Sequence, residues 1–125
     1  MPFVDREPYR HSGQVLGNGH CVALVRAPNG ADAPHTSRWR AGELVLDNEN
    51  IRPGTVVATF DPEGTYGNHT DGRSHVAIFL GHEDQGFRVL DQWKGHPTSP
   101  RLIANRRGTG LPVDDASQYY IVEDA

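Results

Sequence analysis

One cysteine in 125 residues, Cys21, stands where a glycine-bounded turn, Gly17-Asn18-Gly19-His20, gives way to the apolar run Val22-Ala23-Leu24-Val25. That transition predicts a helix that starts at the cysteine. A thiol there faces unpaired backbone N–H groups and the positive end of the helix dipole. Both favour the thiolate, the form of cysteine that attacks carbonyl carbon. Such a nucleophile needs a base beside it. Of the seven histidines, only His75 stands at the mouth of a strongly apolar strand, just after the loop Thr70-Asp71-Gly72-Arg73-Ser74. A histidine base in turn needs an acceptor for its other ring N–H. A hairpin turning around residues 82 to 85 sets His75 across from residues 91 and 92, so Asp91 and Gln92 are both candidates. One residue of loop length decides between them, because a slip of one swaps the faces. An aspartate would also stabilise the imidazolium of a thiolate–imidazolium pair. Trp93 and His20 are the adjoining side chains expected to touch substrate.

The elements that must hold these groups are legible from turn signals and periodicity. Residues 1–16, with Pro2, Pro8 and Gly13, form an irregular leader with at most a short turn of helix. The helix from Cys21 to about Ala27 ends at Pro28-Asn29-Gly30. At about two turns it depends on tertiary packing. Residues 31–50 are expected to be loop, with a second helical piece near Trp39. Ile51-Arg52-Pro53-Gly54 signals a turn into a strand, Thr55-Val56-Val57-Ala58-Thr59-Phe60. Asp61 to Arg73 is a long polar loop. His75-Val76-Ala77-Ile78-Phe79-Leu80 suits a strand buried on both faces. Gly81 to Gly86 connects it to a returning strand, Phe87 to Trp93. A loop with Pro97 and Pro100, a strand at Arg101-Leu102-Ile103 and a closing strand at 118–122 complete the chain. One early helix followed by an antiparallel sheet is an α+β pattern.

Composition narrows the function classes. The length fits a single domain over residues 1–125 with one real core. Apolar residues make up only 36%, and 14 glycines with 9 prolines imply many turns. Net charge is −4, and no basic stripe exists beyond Arg106-Arg107, so a nucleic-acid partner is not expected. No run reaches membrane-spanning length, and Met1 to Glu7 lacks the basic and apolar parts of a signal peptide. The expectation is synthesis in the cytoplasm and no membrane insertion. A lone cysteine excludes an internal disulfide framework and any cysteine-only zinc site. No cofactor is called for.

Four stretches carry a resemblance. Gly19-His20-Cys21-Val22-Ala23-Leu24-Val25, Arg52-Pro53-Gly54-Thr55-Val56-Val57, Ser74-His75-Val76-Ala77-Ile78-Phe79-Leu80 and Asp91-Gln92-Trp93 follow the order of the papain-like NlpC/P60 and CHAP superfamily. There, a glycine-preceded cysteine opens a helix and a Gly-His-Val strand carries the base. A third polar residue follows on the next strand. The chain departs from that pattern at Thr55, Ser74 and Trp93. More narrowly, its spacing resembles the small BPSL0067-type family, related to amidase effectors of type VI secretion systems. The resemblance covers roughly residues 13 to 122. It implies a papain-like (NlpC/P60-type) fold, an N-terminal helix carrying the cysteine packed on an antiparallel sheet. It also implies a cysteine amidase or peptidase that cuts amides in peptidoglycan peptides with Cys21, His75 and Asp91 or Gln92. The backbone N–H of Cys21 would be half of an oxyanion hole, with Gln14, Tyr9 and His20 as candidates for the other donor. A secretion apparatus would deliver such an effector into the periplasm of target bacteria, and a cognate immunity protein would block its cleft in the producer.

Three competing readings share the same residues. His69, Asp71 and His75, with Asp91, could form a mixed N/O metal site, although the spacing matches no common zinc motif. An inactive member of the fold would bind wall fragments or a partner. A phage-type lysin would also lack a signal peptide, but it usually carries a wall-binding domain for which 125 residues leave no room.

Overall fold

Val76, Ala77 and Ile78 are wholly buried and Phe79 nearly so, which places this strand in the interior of a sheet with a covered layer on each face. The computed structural model describes residues 2–28 and 30–124. Its one α-helix, α1, runs Cys21–Arg26. The strands are β1 (Trp39–Leu44), β2 (Val56–Thr59), β3 (Val76–Glu83), β4 (Gly86–Trp93), β5 (His96–Ala104) and β6 (Tyr119–Asp124). They form one six-stranded sheet in the order β1-β6-β2-β3-β4-β5, and every pairing is antiparallel. The rest is 3₁₀ turns and loops, so the architecture is mostly antiparallel β with few helices.

Side-chain alternation along the strands divides the core in two. One layer joins Leu24 and Val25 of α1 to Trp39, Val56, Ala58, Val76, Ile78 and Leu90. The other holds Val57, Ala77, Phe79, Phe87, Val89, Ile103 and Tyr119. Each fully buried aliphatic or aromatic side chain there contributes about 1.5–3 kcal/mol. The short helix therefore persists because its apolar side packs on the sheet, not through its own propensity.

The leader takes one 3₁₀ turn, Pro8–His11, and is tied to the sheet by isolated bridges from Pro2 to Glu123 and from Val4 to Thr55. The helix ends at Arg26, with Ala27 as its C-cap; of its stop signal, Asn29 lies outside the described residues.

Three sequence expectations need correction. Trp39 opens strand β1 rather than a helical piece. Its segment, Trp39-Arg40-Ala41-Gly42-Glu43-Leu44, has little β propensity, and it is a strand because β6 pairs with it from the far end of the chain. The prolines at 97 and 100 lie inside β5, not in a loop. They are tolerated because β5 is an edge of the sheet, where a missing N–H costs no ladder bond. The closing strand β6 is inserted between β1 and β2. Finally, β3 and β4 run on to a two-residue turn at Asp84-Gln85, with Glu83 paired to Gly86. That tighter turn alone would move the position opposite His75 to residue 94, and a bulge between Phe79 and Gly81 returns it by one. Continuing the Ile78–Leu90 register thus sets His75 opposite Trp93, with Asp91 as a diagonal neighbour.

Candidate active site

The turn before α1 is held open by its glycines and closed by one amide side chain. Gly17 and Gly19 have φ of 55° and 84°, a conformation that favours glycine. A Cβ on Gly17 would also come within 2.9 Å of the Ala23 Cβ. Gln92 faces the α1 side of β4, as Leu90 does, and is fully buried. Its Nε2 donates to the carbonyls of Leu16 (3.0 Å) and His20 (2.9 Å). Its Oε1 accepts from the Leu16 N–H and from Thr98 Oγ1, both at 3.0 Å. Gln92 therefore braces the turn that presents Cys21. It does not hold the imidazole.

That partner is Asp91. His75 is buried, and its Nε2 lies 2.7 Å from Asp91 Oδ2. The strand mouth is clamped by Thr59, whose Oγ1 accepts from the His75 N–H at 2.9 Å and donates to the Arg73 carbonyl at 2.9 Å. His75 and Cys21 border the same cleft and each shifts the other's ionisation; with Nε2 engaged, Nδ1 is the ring nitrogen left to face the sulfur. Arg101 Nε donates to the same Asp91 oxygen at 2.8 Å. The guanidinium lies 5.1 Å from the centre of the Trp93 ring, which stacks on His96 at 3.7 Å. Asp91 Oδ1 is buried with no hydrogen-bond partner among the described residues. Such an orphan acceptor costs about 1–3 kcal/mol.

Electrostatics favour a charged pair. Burial pushes the Cys21 thiol up, but hydrogen bonds from His75, the Val76 N–H and Tyr66, together with the charge on His75, bring it below its ordinary value. Burial pushes the His75 imidazolium down, and the bonds to Asp91 and Cys21 outweigh it, raising the pKa to about 9. The two shifts point the same way, toward thiolate and imidazolium. Tyr66 Oη lies 3.9 Å from Cys21 Sγ. Burial first, and then the neighbouring sulfur, raise its pKa well above the ordinary value, so the hydroxyl keeps its proton and can donate.

A cleft of about 690 Å³ opens over the sulfur, bordered by His20, Cys21, His75 and Trp93 among others. A neighbouring cavity of about 270 Å³ shares His75 and Trp93 and adds Arg101. Of the residues singled out from the sequence, His20, Cys21, His75 and Trp93 border the main cleft, with Asp91 behind the imidazole and Gln92 beneath the turn. Tyr9 and Gln14 do not border it. Sequence reasoning missed Tyr66, Arg101 and Thr59. Tyr66 carried a signal, being the only aromatic in the polar loop 61–73. It is buried against Trp39, 4.9 Å between ring centres. The metal alternative finds no support in the geometry. His69 Nε2 lies 3.0 Å from both oxygens of Asp61, Asp71 accepts from Arg73 at 2.9 Å, and no metal-binding cluster of His, Cys, Asp or Glu occurs among the described residues.

Comparison with known proteins agrees on one family. Residues 4–122 match the family model described as Domesticated amidase effector 2. The BPSL0067-type resemblance rests on the four sequence motifs alone. A "Type VI secretion amidase effector 2 protein" of Salmonella typhi is 42% identical over 123 residues, covering 88% of this chain and 90% of its own length. A solved structure of "Type 6 secretion amidase effector 2 (Tae2)" is 32% identical with a TM-score of 0.84, covering 98% of this chain and 95% of that one.

Proposed function

The chain belongs to the domesticated amidase effector 2 family, and from that premise we propose that it is a cysteine amidase of papain-like fold. In this reading residues 1–125 are one catalytic domain, α1 carries the nucleophile on the sheet, and the substrate is an amide in peptidoglycan peptides. The observation that supports it most is the His75 imidazole, held by Asp91 through Nε2 and bordering the same cleft as Cys21, with which it interacts electrostatically.

The Cys21 thiolate attacks the carbonyl carbon, and the C=O electron pair moves onto oxygen. The Cys21 backbone N–H and the Tyr66 hydroxyl receive that oxyanion. His75, held by Asp91, passes its Nδ1 proton to the amide nitrogen, the C–N bond breaks and the amine leaves a thioester behind. A water then gives a proton to Nδ1 as its oxygen attacks the thioester carbon. Collapse breaks the C–S bond, releases the carboxylic acid and restores the thiolate–imidazolium pair. Trp93 and His20 form walls against which the peptide lies, and Arg101 orients Asp91.

The relatives' names connect them to type VI secretion. We extend that to this chain as delivery into the periplasm of rival bacteria, with an immunity protein covering the cleft in the producer. The test is incubation of the protein and its Cys21→Ala variant with purified muropeptides, products being identified by mass. Wild type should release fragments with a new carboxylic acid and amine end, and the variant none. Fragment release by the folded variant at the wild-type rate would rule the reading out.

A further inference from the structure

The main cleft has the opposite charge to the chain around it. The sequence holds 16 acidic against 12 basic residues. Yet no Asp or Glu is among the described residues bordering the cleft, whereas Arg26 and Lys94 both are. The carboxylates nearby have partners of their own: buried Asp91 with His75 and Arg101, Asp61 with His69, and the exposed Asp71 with Arg73. Asp114 borders only the adjoining smaller cavity.

The two cations are exposed, and neither forms an ion pair among the described residues, unlike Arg38, Arg73, Arg88 and Arg101. Arg26 makes only a long contact, 3.4 Å, from Nε to the Ala33 carbonyl. Lys94 runs its aliphatic stem past the turn, its Cδ 4.0 Å from where a Gly19 Cβ would stand, which leaves the ammonium at the end of a tethered arm. The helical rise carries Arg26 about 7.5 Å beyond Cys21, while Lys94 lies beside the turn that precedes it. The cations bracket the sulfur along the helix axis. Unpaired cations in a concave, acid-free lining concentrate the field there and attract anionic groups.

We propose that Arg26 and Lys94 form a subsite for free carboxylates of the substrate peptide on either side of the bond presented to Cys21, so that the protein selects peptides whose carboxylates are not amidated. The inference rests on the peptide-amidase reading. It adds the chemical feature by which a peptide is chosen. Guanidinium can meet a carboxylate with two parallel N–H bonds and ammonium with one, and a neutral carboxamide loses the charge-assisted part of both.

The test uses the full chain and two synthetic stem peptides of identical sequence, one with every carboxylate free and the other fully amidated. Wild type should favour the acid peptide by about tenfold or more in kcat/KM, chiefly through KM. In the Arg26→Gln/Lys94→Met double variant that ratio should fall to nearly one. Equal hydrolysis of both peptides by wild type would overturn the subsite while leaving the amidase reading intact. A tenfold preference that survives in the double variant would overturn the assignment to these two residues. If wild type cleaves neither peptide, the amidase reading falls and calorimetric binding to Cys21→Ala decides the subsite. Tighter binding of the acid peptide, lost when Arg26→Gln and Lys94→Met are added, would uphold it. Equal binding or none would end it.

Discussion

Two buried histidine–aspartate pairs in this molecule are nearly the same object. His75 and Asp91 lie 2.7 Å apart, His11 and Asp5 2.8 Å, and all four residues are at most 7% exposed. What differs is the surroundings. His75 shares a cleft with Cys21 and interacts with it electrostatically. The His11–Asp5 pair is packed under Gly30, where an added Cβ would fall 3.1 Å from the carboxylate and 3.3 Å from the imidazole. Asp5 also accepts from the Glu7 N–H at 3.0 Å, so this pair fastens the N-terminal segment. A His–Asp contact is therefore not chemistry by itself. The chemistry requires a nucleophile at the other nitrogen and room for a substrate.

The sharpest way to break that comparison is to remove each imidazole in turn. His75→Ala should lower amide hydrolysis by about 10³-fold or more and also lower stability near neutral pH, since the imidazolium with its raised pKa stabilises the fold there. His11→Ala should affect stability alone, costing about 1–3 kcal/mol by orphaning Asp5 while the folded fraction keeps its turnover. Muropeptide hydrolysis and thermal unfolding of both variants check this, and similar activity losses would erase the distinction.

Asp91→Asn comes next, at about 10²-fold in kcat, with a signature in the pH profile. Wild-type activity should rise as pH climbs through the depressed Cys21 pKa and fall as His75 deprotonates near 9. In Asp91→Asn the imidazolium loses the hydrogen bond that does most to hold it up, so the alkaline limb should move to lower pH. Stability follows the same signs. The contribution of His75, whose pKa is raised, is complete below its ordinary value of about 6.5 and is lost as pH rises through about 9. That of Cys21, whose pKa is lowered, is complete above 9.0 and is lost as pH falls through the depressed value. Denaturant unfolding across this range, with and without Cys21→Ala, separates the two.

Smaller effects sharpen the picture around the sulfur. Tyr66→Phe keeps the ring against Trp39 and Phe60 and removes only the hydroxyl. It should cost about tenfold or somewhat more in kcat, with KM nearly unchanged. A KM effect alone would assign Tyr66 to packing. Gln92→Leu should have the smallest chemical effect, a few-fold per folded molecule. It should still destabilise by about 1–3 kcal/mol, because the Leu16 and His20 backbone groups lose their partner. Activity measured against folded fraction distinguishes that from a direct role on the imidazole.

The choice between Asp91 and Gln92 shows where sequence reading ended. Both were in reach of His75 by hairpin geometry, and the outcome turned on a two-residue turn and a bulge at β3, neither of which has a strong residue signal. Strand alternation then sent Asp91 to the imidazole and Gln92 to the α1 side. Trp39 failed for a different reason, since β1 exists through pairing with β6 about 80 residues away. Tyr66 and Arg101 come to the site from a loop and an edge strand, so no local spacing relates them to Cys21.

By itself the sequence determined the elements whose cause is local. Glycines shaped the turn, the cysteine stood at the helix start, and runs of β-branched residues made the inner strands. Only tertiary structure decided which polar groups meet. Register, strand order and the approach of distant segments are set by packing across the whole sheet, and that packing energy belongs to pairs of residues far apart in the chain.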